Sequence, residues 1–243
     1  MKLKNIILLA FVMMGLIVTS CEYDNYDAPS YLFSGQLTCD GEKFQYDANK
    51  NIFKLVQEGY GKADGGIEMR ADNEGHFQQL LFKAQYKLTL ANNPYPFDIE
   101  EFNSLGTGLG YDSIRYDITS NVTRNFEVKP YYKLNDFTLS LDGKKIVAKF
   151  NVTKLKDTAP AVKRAYIYLG TSSIVNSNNK SQNSALVKAG VTEISLSRSV
   201  VLYRSDYVNN FRDYAYCRVA IELEGIPDYF LFSETKRIDG LPQ

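Results

Sequence analysis

The chain has 243 residues, with 28 Lys and Arg balancing 28 Asp and Glu, one His and no Trp. Lys2 and Lys4 belong to an N-terminal leader, and without them the balance is 26 positive against 28 negative side chains. This near-neutral charge predicts neither a basic surface for nucleic acid nor a polybasic patch for lipid headgroups. The single histidine, His76, excludes a metal site built from several histidines.

The first twenty-one residues predict a secretory signal. Lys2 and Lys4 precede an unbroken apolar run over residues 6–18, which ends in Val18-Thr19-Ser20-Cys21. A basic start, a short apolar run and a small-residue cleavage site are the three parts of a signal peptide, and the run is too short for a stable membrane span. The position of Cys21 resembles a bacterial lipobox, which implies cleavage before Cys21, lipid on its sulfur and acylation of its new amine.

Residues 22–29 form a short acidic and polar segment after that cysteine. Acidic residues in this place resemble the surface-export signal of Bacteroidota lipoproteins, which implies an outer-membrane, lipid-anchored protein facing the cell exterior. We therefore predict a signal peptide at 1–20 and a lipidated tether at 21–29. An uncleaved anchor helix, or an ordinary signal peptide, remains the alternative.

From residue 30 onward, short runs rich in β-branched and aromatic residues alternate with turn residues, as in all-β proteins. The turn dipeptide Asp40-Gly41 closes the first run. A loop with one helical turn near residues 99–102 is expected over residues 92–110. The strands predicted in the first half cover residues 31–38, 52–57, 67–70, 76–82, 85–90, 113–118 and 125–128.

Pro130 marks a boundary, because proline lacks a backbone donor and rarely continues a central strand. Beyond it, Asp142-Gly143 predicts a hairpin, and the Ser/Asn tract over residues 172–184 is expected to be a mobile loop. Two β-sandwich domains, 30–128 and 129–243, are therefore predicted. The strands expected in the second half cover residues 137–141, 146–152, 164–169, 194–196, 216–223 and 229–233.

Several segments carry a family resemblance. The first domain resembles the carboxypeptidase-regulatory-like pattern, which implies a transthyretin-like (prealbumin-like) sandwich, in residues 35–42, 55–60, 71–77 and 86–88. An uncharacterised two-domain family of Bacteroidota lipoproteins, whose second domain is Ig-like or fibronectin-III-like, is similar in residues 117–118, 126–132, 218–220 and 229–233. Such families accompany starch-utilisation-type outer-membrane uptake pairs, so the resemblance implies a transporter pair as partner.

No segment carries a catalytic or metal-binding pattern. Asp72-Asn73-Glu74-Gly75 lacks the spacing of a calcium loop and predicts a turn with Gly75, after which His76 begins a strand on the surface. The stretch 106–110 lacks the lysine and the helix of a phosphate loop. We predict no catalytic residue, no metal and no cofactor, and we expect Cys39 and Cys217 to be separate thiols.

Aromatic residues in irregular sequence are the one positive hint of a ligand. Tyr203, Tyr207 and Phe211 fit neither a strand face nor a single helical stripe, and rings on a rigid sandwich can stack on sugars. These three residues are the candidate ligand-binding set. The alternative, left open here, is that such rings cover the ends of the sandwiches or the seam between the domains.

The sequence therefore predicts a non-catalytic cell-surface lipoprotein that binds glycans or helps to assemble an uptake complex. Its expected partners are the outer membrane, through the lipid anchor, a polysaccharide and a transporter pair. An adhesion or fimbria-like subunit is the alternative, although the C-terminal residues 239–243 show no obvious donor strand. An enzyme is a third possibility, and the sequence names neither the ligand nor the oligomeric state.

Overall fold

In the computed structural model, the described residues are 27–59, 65–91, 94–103, 113–207 and 211–243. The predictions for the signal peptide, for Cys21 and for the stretch 106–110 lie outside these residues. The regular secondary structure of the described residues is almost entirely β-strand, with two short helices. This confirms the all-β prediction.

The first half forms two sheets. One sheet has the order β2-β1-β10-β7, with β5 and β9 also paired to β1, and the other has the order β4-β3-β6-β8. The elements are β1 (Tyr31–Cys39), β2 (Glu42–Lys43), β3 (Asn51–Gln57), β4 (Ile67–Arg70), β5 (His76–Leu81), β6 (Ala84–Leu90), β7 (Phe97–Ile99), α1 (Glu100–Asn103), β8 (Ile114–Ile118), β9 (Val122–Thr123) and β10 (Phe126–Pro130).

Strand β1 organises this half, because it pairs antiparallel with β2 and β5 and parallel with β9 and β10. Its alternate residues point inward, and Phe33 and Leu37 are fully buried. The two sheets meet through aromatic rings: Phe53 of β3 lies 5.2 Å from Phe77 and 4.8 Å from Phe126 between ring centroids. These contacts close the first sandwich.

One residue, Tyr131, separates β10 from the second half, which again has two sheets. Their orders are β11-β12-β15 and β14-β13-β16-β17, with β18 also paired to β16. The elements are β11 (Tyr132–Asp142), β12 (Lys145–Lys154), β13 (Val162–Gly170), β14 (Ser181–Leu186), β15 (Glu193–Ser199), α2 (Val200–Asp206), β16 (Ala215–Leu223), β17 (Ile226–Phe232) and β18 (Lys236–Ile238).

Strand β16 is buried on both faces. Cys217, Val219 and Ile221 belong to the main core. Between them, Ala220 belongs to a second cluster, while Arg218 is fully buried. Because successive side chains of a strand point to opposite faces, this sheet is covered on its inner and its outer side.

The Ser/Asn tract corrects one prediction. Residues 172–180 form a loop, as predicted, but the loop is packed against the fold with Val175 fully buried, and Ser181 begins β14, which pairs with β13 along residues 181–186. Amide side chains supply the hydrogen bonds that a polar segment needs in order to be fixed, since Asn179 Oδ1 accepts from the Asn176 backbone at 2.7 Å. The helical turn expected near residues 99–102 and the turn at Asp72–Gly75 are both confirmed.

We expect Gly35→Ala to be strongly destabilising. A Cβ at Gly35 would lie 1.7 Å from the Arg124 carbonyl oxygen and 2.5 Å from Phe77 Cζ, so β1 and its neighbours would have to separate. The free energy of unfolding should fall by at least about 3 kcal/mol in urea denaturation.

Gly41→Ala is the matched control. Gly41 lies in the β1–β2 turn with φ of +79° and open space around its Cα, so alanine meets only backbone strain. That substitution should cost about 1–2 kcal/mol. A loss at Gly35 no larger than the loss at Gly41 would contradict the close strand approach.

Candidate functional site: an interdomain cleft

A buried arginine joins the two sandwiches. Arg218 of β16 is fully buried, and its Nε donates to the Ser233 carbonyl at 2.8 Å. Its Nη1 donates to the carbonyls of Tyr46 at 2.9 Å and Val175 at 3.0 Å. Its Nη2 reaches the Asn73 carbonyl at 3.5 Å. One guanidinium thus holds two backbone segments of the first domain and two of the second.

The guanidinium of Arg218 lies near one carboxylate, that of Asp47, and near one aromatic ring, that of Phe232. Burial lowers the pKa of Arg218 to about 9, and the nearby carboxylate of Asp47 limits this shift, so the guanidinium is charged at neutral pH. Asp47 is itself buried, and its Oδ1 accepts from the backbone of Asn49 at 3.1 Å and of Ser177 at 3.4 Å. On the other side, the Phe232 ring centroid lies 4.4 Å from Arg218 Cζ.

Three further contacts join the two domains, one of them close to Arg218. Asn178 Nδ2 donates to Asn49 Oδ1 at 2.7 Å, so the Ser/Asn tract docks on the first domain. At a second place, Lys156 Nζ lies 2.5 Å from Asp98 Oδ2. At a third, the rings of Tyr95 and Tyr229 meet edge to face with centroids 4.7 Å apart. The seam is therefore fixed at several separate points.

Beside the seam lies a cleft of about 620 Å³ with walls from both domains. Its size falls within the range of small-molecule binding pockets. The first domain contributes Lys43, Gln45, Ala48, Asp72, Asn73 and Glu74. The second contributes Ser173, Ile174, Tyr216, Glu234, Thr235 and Arg237.

The carbonyls that Arg218 holds are neighbours of these lining residues. Tyr46 follows Gln45, Val175 follows Ile174, and Ser233 precedes Glu234, while Asn73 lines the cleft itself. The buried guanidinium therefore fixes the backbone of the cleft walls on both sides. This arrangement presets the shape of the cleft before any ligand enters.

The second-domain wall is aromatic and cationic. Tyr216 is half-buried, and the Tyr214 ring packs edge to face against it at 5.9 Å between centroids. Arg237 Cζ lies 4.2 Å from the Tyr214 centroid and 5.9 Å from that of Tyr216, and its guanidinium pairs with Asp239 at 2.6 Å. An apolar ring edged by charged groups is a surface on which a sugar can both stack and hydrogen-bond.

The first-domain wall is polar. Asp72 Oδ1 accepts from the backbone N–H groups of Glu74 and His76, each at 2.9 Å, which shapes the predicted turn. Lys43 forms an ion pair with Glu74 across the rim. His76 begins β5 and is exposed, as predicted. Carboxylate, amide and ammonium groups are thus presented together along this wall.

The structure places one residue of the predicted ligand-binding set, Tyr203, in the interior of the second domain. Tyr203 lies in α2 and is fully buried, with its hydroxyl hydrogen-bonded to the carbonyls of Gly170 at 3.1 Å and Tyr214 at 3.2 Å. Its ring packs inside the domain, with its centroid 5.7 Å from that of Tyr207, so no part of it is exposed to a ligand.

Tyr207 and Phe211 have different surroundings from each other. Tyr207 is half-buried, donates to the Leu169 carbonyl at 2.7 Å and accepts from Asn179 Nδ2 at 3.0 Å, so it ties the Ser/Asn tract to the sheet. Phe211 is 82% exposed. None of the three residues lines the cleft.

Sequence reasoning missed the cleft because its walls come together only when the domains dock. One signal was present: Arg218 interrupts the apolar stretch over residues 215–221, and a charge at a buried strand position requires partners from elsewhere. Tyr216, two residues earlier, lies on the same side of that strand. An interdomain site was therefore indicated by the arginine rather than by loop aromatics.

The described part of the chain contains neither a metal-binding cluster nor a membrane-spanning helix. There, no three His, Cys, Asp or Glu side chains are grouped so as to hold a metal ion. Neither described helix has the length and apolar character required to cross a membrane. Cys39 and Cys217 are free thiols, and burial raises the pKa of Cys217.

The fold and the cleft define a two-domain β-sandwich protein with a polar, tyrosine-containing cleft at the domain seam. The chain belongs to the DUF3823 family: the "Protein of unknown function (DUF3823) N-terminal domain" matches residues 31–129, and the "Domain of unknown function (DUF3823_C)" matches residues 132–237. The expected membership of a two-domain family is thereby confirmed. No curated protein matches the chain significantly.

Solved structures share the whole fold at low sequence identity. A DUF3823 family protein from Parabacteroides merdae is 21% identical, with a TM-score of 0.66, covering 88% of this chain and 100% of that one. One from Bacteroides ovatus is 21% identical, with a TM-score of 0.64, covering 86% and 99%. A protein from Bacteroides uniformis named "putative carbohydrate binding protein" is 15% identical, with a TM-score of 0.63, covering 87% and 100%.

We expect Arg218→Leu to lower the free energy of unfolding by about 3–5 kcal/mol, because the buried carbonyls of Tyr46, Val175 and Ser233 lose their guanidinium donor. Urea denaturation followed by fluorescence should also show the transition broaden as the domains uncouple. Arg164→Leu is the matched control: Arg164 is half-buried and donates to Ser184 Oγ at 3.1 Å. Its loss should cost about 1 kcal/mol or less, and an equal loss at both positions would contradict the role of Arg218.

Proposed function

We propose that the protein is a non-catalytic, lipid-anchored lipoprotein of the outer-membrane surface that binds glycans in the interdomain cleft as an accessory of an uptake complex. The observation that carries the glycan proposal is the cleft itself, in which the Tyr216 ring stands opposite a wall of carboxylate, amide and ammonium groups. Sugars present apolar C–H faces and many hydroxyls, so this combination of groups suits them.

Two further facts support glycan binding. The cleft is shaped by contacts that exist without a ligand, and a preformed site loses little conformational entropy on binding. The Bacteroides uniformis protein of the same fold carries a name that assigns it, as putative, to carbohydrate binding. At 15% identity that name supports only the choice of ligand class to test first.

The proposed location, anchored by lipid at the outer membrane, is based on the sequence. Cys21 follows Val18-Thr19-Ser20 in the lipobox position, and an acidic tether continues from it. Several acyl chains, each methylene contributing about 0.8 kcal/mol of membrane binding, would retain the protein on the bilayer. A rigid two-domain module on a short tether would then present its cleft close to the membrane surface.

The glycan proposal is tested by calorimetry and affinity electrophoresis of the purified full-length chain against a panel of polysaccharides. Tyr216→Ala should weaken binding about tenfold, since it removes the stacking ring, whereas Tyr216→Phe should retain most of the affinity. Thermal unfolding of each variant separates lost binding from lost folding.

Phe211→Ala is the matched control, because it removes an exposed ring that does not line the cleft. We expect its affinity to equal that of the unmodified chain. If Phe211→Ala abolished binding and Tyr216→Ala did not, the site would lie on the surface that the sequence suggested. If no polysaccharide bound, the glycan proposal would be wrong and only the assembly role would stand.

The anchor is tested by Cys21→Ala, which should move the protein from the detergent phase to the aqueous phase in Triton X-114 partitioning. The apolar stretch over residues 6–18 is too short to hold the protein as a membrane span. Cys39→Ala is the control, because it removes another cysteine and should leave partitioning unchanged. A Cys21→Ala protein that stayed in the detergent phase would disprove the lipid anchor.

A further inference from the structure

The charges that line the cleft are unequal. Three carboxylates, Asp72, Glu74 and Glu234, face two cations, Lys43 and Arg237. The side chains of the three carboxylates are 58%, 58% and 61% exposed, respectively. They are therefore solvated and within reach of a ligand that enters the cleft.

Both cations already have anionic partners. Lys43 is paired with Glu74. Arg237 is paired with Asp239 at 2.6 Å and is held over the Tyr214 ring at 4.2 Å. An anionic ligand would therefore have to take a cation away from a carboxylate that remains nearby.

The remaining carboxylates keep acceptor capacity. Asp72 uses Oδ1 for two backbone N–H groups, while its Oδ2 lies 4.0 Å from His76 Nδ1, beyond hydrogen-bond distance. Glu234 Oε1 lies 3.0 Å from Lys236 Nζ, and that ammonium also donates to the Phe137 carbonyl at 2.6 Å. Ionised carboxylates with open lone pairs accept strong, charge-assisted hydrogen bonds from hydroxyl groups.

We propose that the cleft selects uncharged glycans and rejects those that carry carboxylate or sulfate groups. This inference rests on the proposed glycan function and deepens it. Hydroxyls of a neutral sugar donate to the cleft carboxylates, and its C–H face lies on Tyr216. A uronate or sulfate meets the same carboxylates as like charges, so the selection comes from repulsion as well as from attraction.

The test compares one polymer in two charge states. The neutral polysaccharide that binds most tightly in the panel is oxidised at its primary C6 hydroxyls to carboxylates, and calorimetry measures both forms on the full-length chain. We expect the oxidised polymer to bind at least about tenfold more weakly at 50 mM salt. Polygalacturonate and chondroitin sulfate complete the panel as uronate and sulfate probes.

Charge reversal in the cleft provides the matched variants. Glu234→Lys should strengthen binding of the oxidised polymer about tenfold, because cations then outnumber carboxylates on the lining. Glu193→Lys changes the net charge of the protein equally at an exposed residue of β15 that does not line the cleft, and it should leave that binding unchanged.

The outcomes separate the two proposals. Binding of the oxidised polymer, or of a uronate or sulfate polymer, that is as tight as that of the neutral polymer or tighter, in a manner sensitive to Tyr216→Ala, would overturn neutral selection and leave glycan binding intact. Equal effects of Glu234→Lys and Glu193→Lys would also overturn it, since net charge alone would then explain the change. A panel without any binder would overturn both proposals.

Discussion

The architecture of this protein depends on one buried charge. Arg218 lies inside the seam, and four backbone carbonyls from both domains take the place of water around its guanidinium. Moving the domains apart would break the hydrogen bonds from Arg218 to the carbonyls of Tyr46 and Asn73, which belong to the first domain, and this loss costs free energy. Domains joined by one residue would ordinarily be expected to move relative to each other. Here the arginine and the Ser/Asn tract oppose that motion.

This constraint explains why a cleft, rather than a loop, is the best candidate site. Loops on a β-sandwich can change their conformation. Residues next to a carbonyl that Arg218 hydrogen-bonds are held in position together with that carbonyl. Gln45, Asn73, Ile174 and Glu234 are all adjacent to, or identical with, residues whose backbone Arg218 holds. Polymer ligands lose much freedom of their own on binding, so a wall that is already ordered reduces the total entropy cost.

The strands were largely predictable from sequence because each depends on a local pattern: alternating apolar residues, β-branched content and turn dipeptides such as Asp40-Gly41, where φ is positive at both residues. The features that could not be predicted depend instead on contacts between residues that lie far apart in the chain. Strand β14 forms from a polar tract because β13 lies beside it, and the hydrogen bond from Arg218 to Tyr46 joins residues 172 positions apart. No short segment of the sequence contains both partners of such a contact, so the cleft could not be predicted from local sequence patterns.

The tyrosines show that irregular spacing of aromatic residues is a poor indicator of a ligand-binding site. The hydroxyl groups of Tyr203, Tyr207 and Tyr132 all donate to backbone carbonyls, those of Gly170, Leu169 and Pro160. Such a tyrosine packs its ring against the domain and uses its hydroxyl to hydrogen-bond a backbone carbonyl, which needs no regular period. A tyrosine that fits no strand or helix periodicity should therefore first be interpreted as a packing residue whose hydroxyl binds the backbone. What distinguishes Tyr216 is its position on a concave surface opposite polar groups of the other domain, and that is a property of the docked sandwiches.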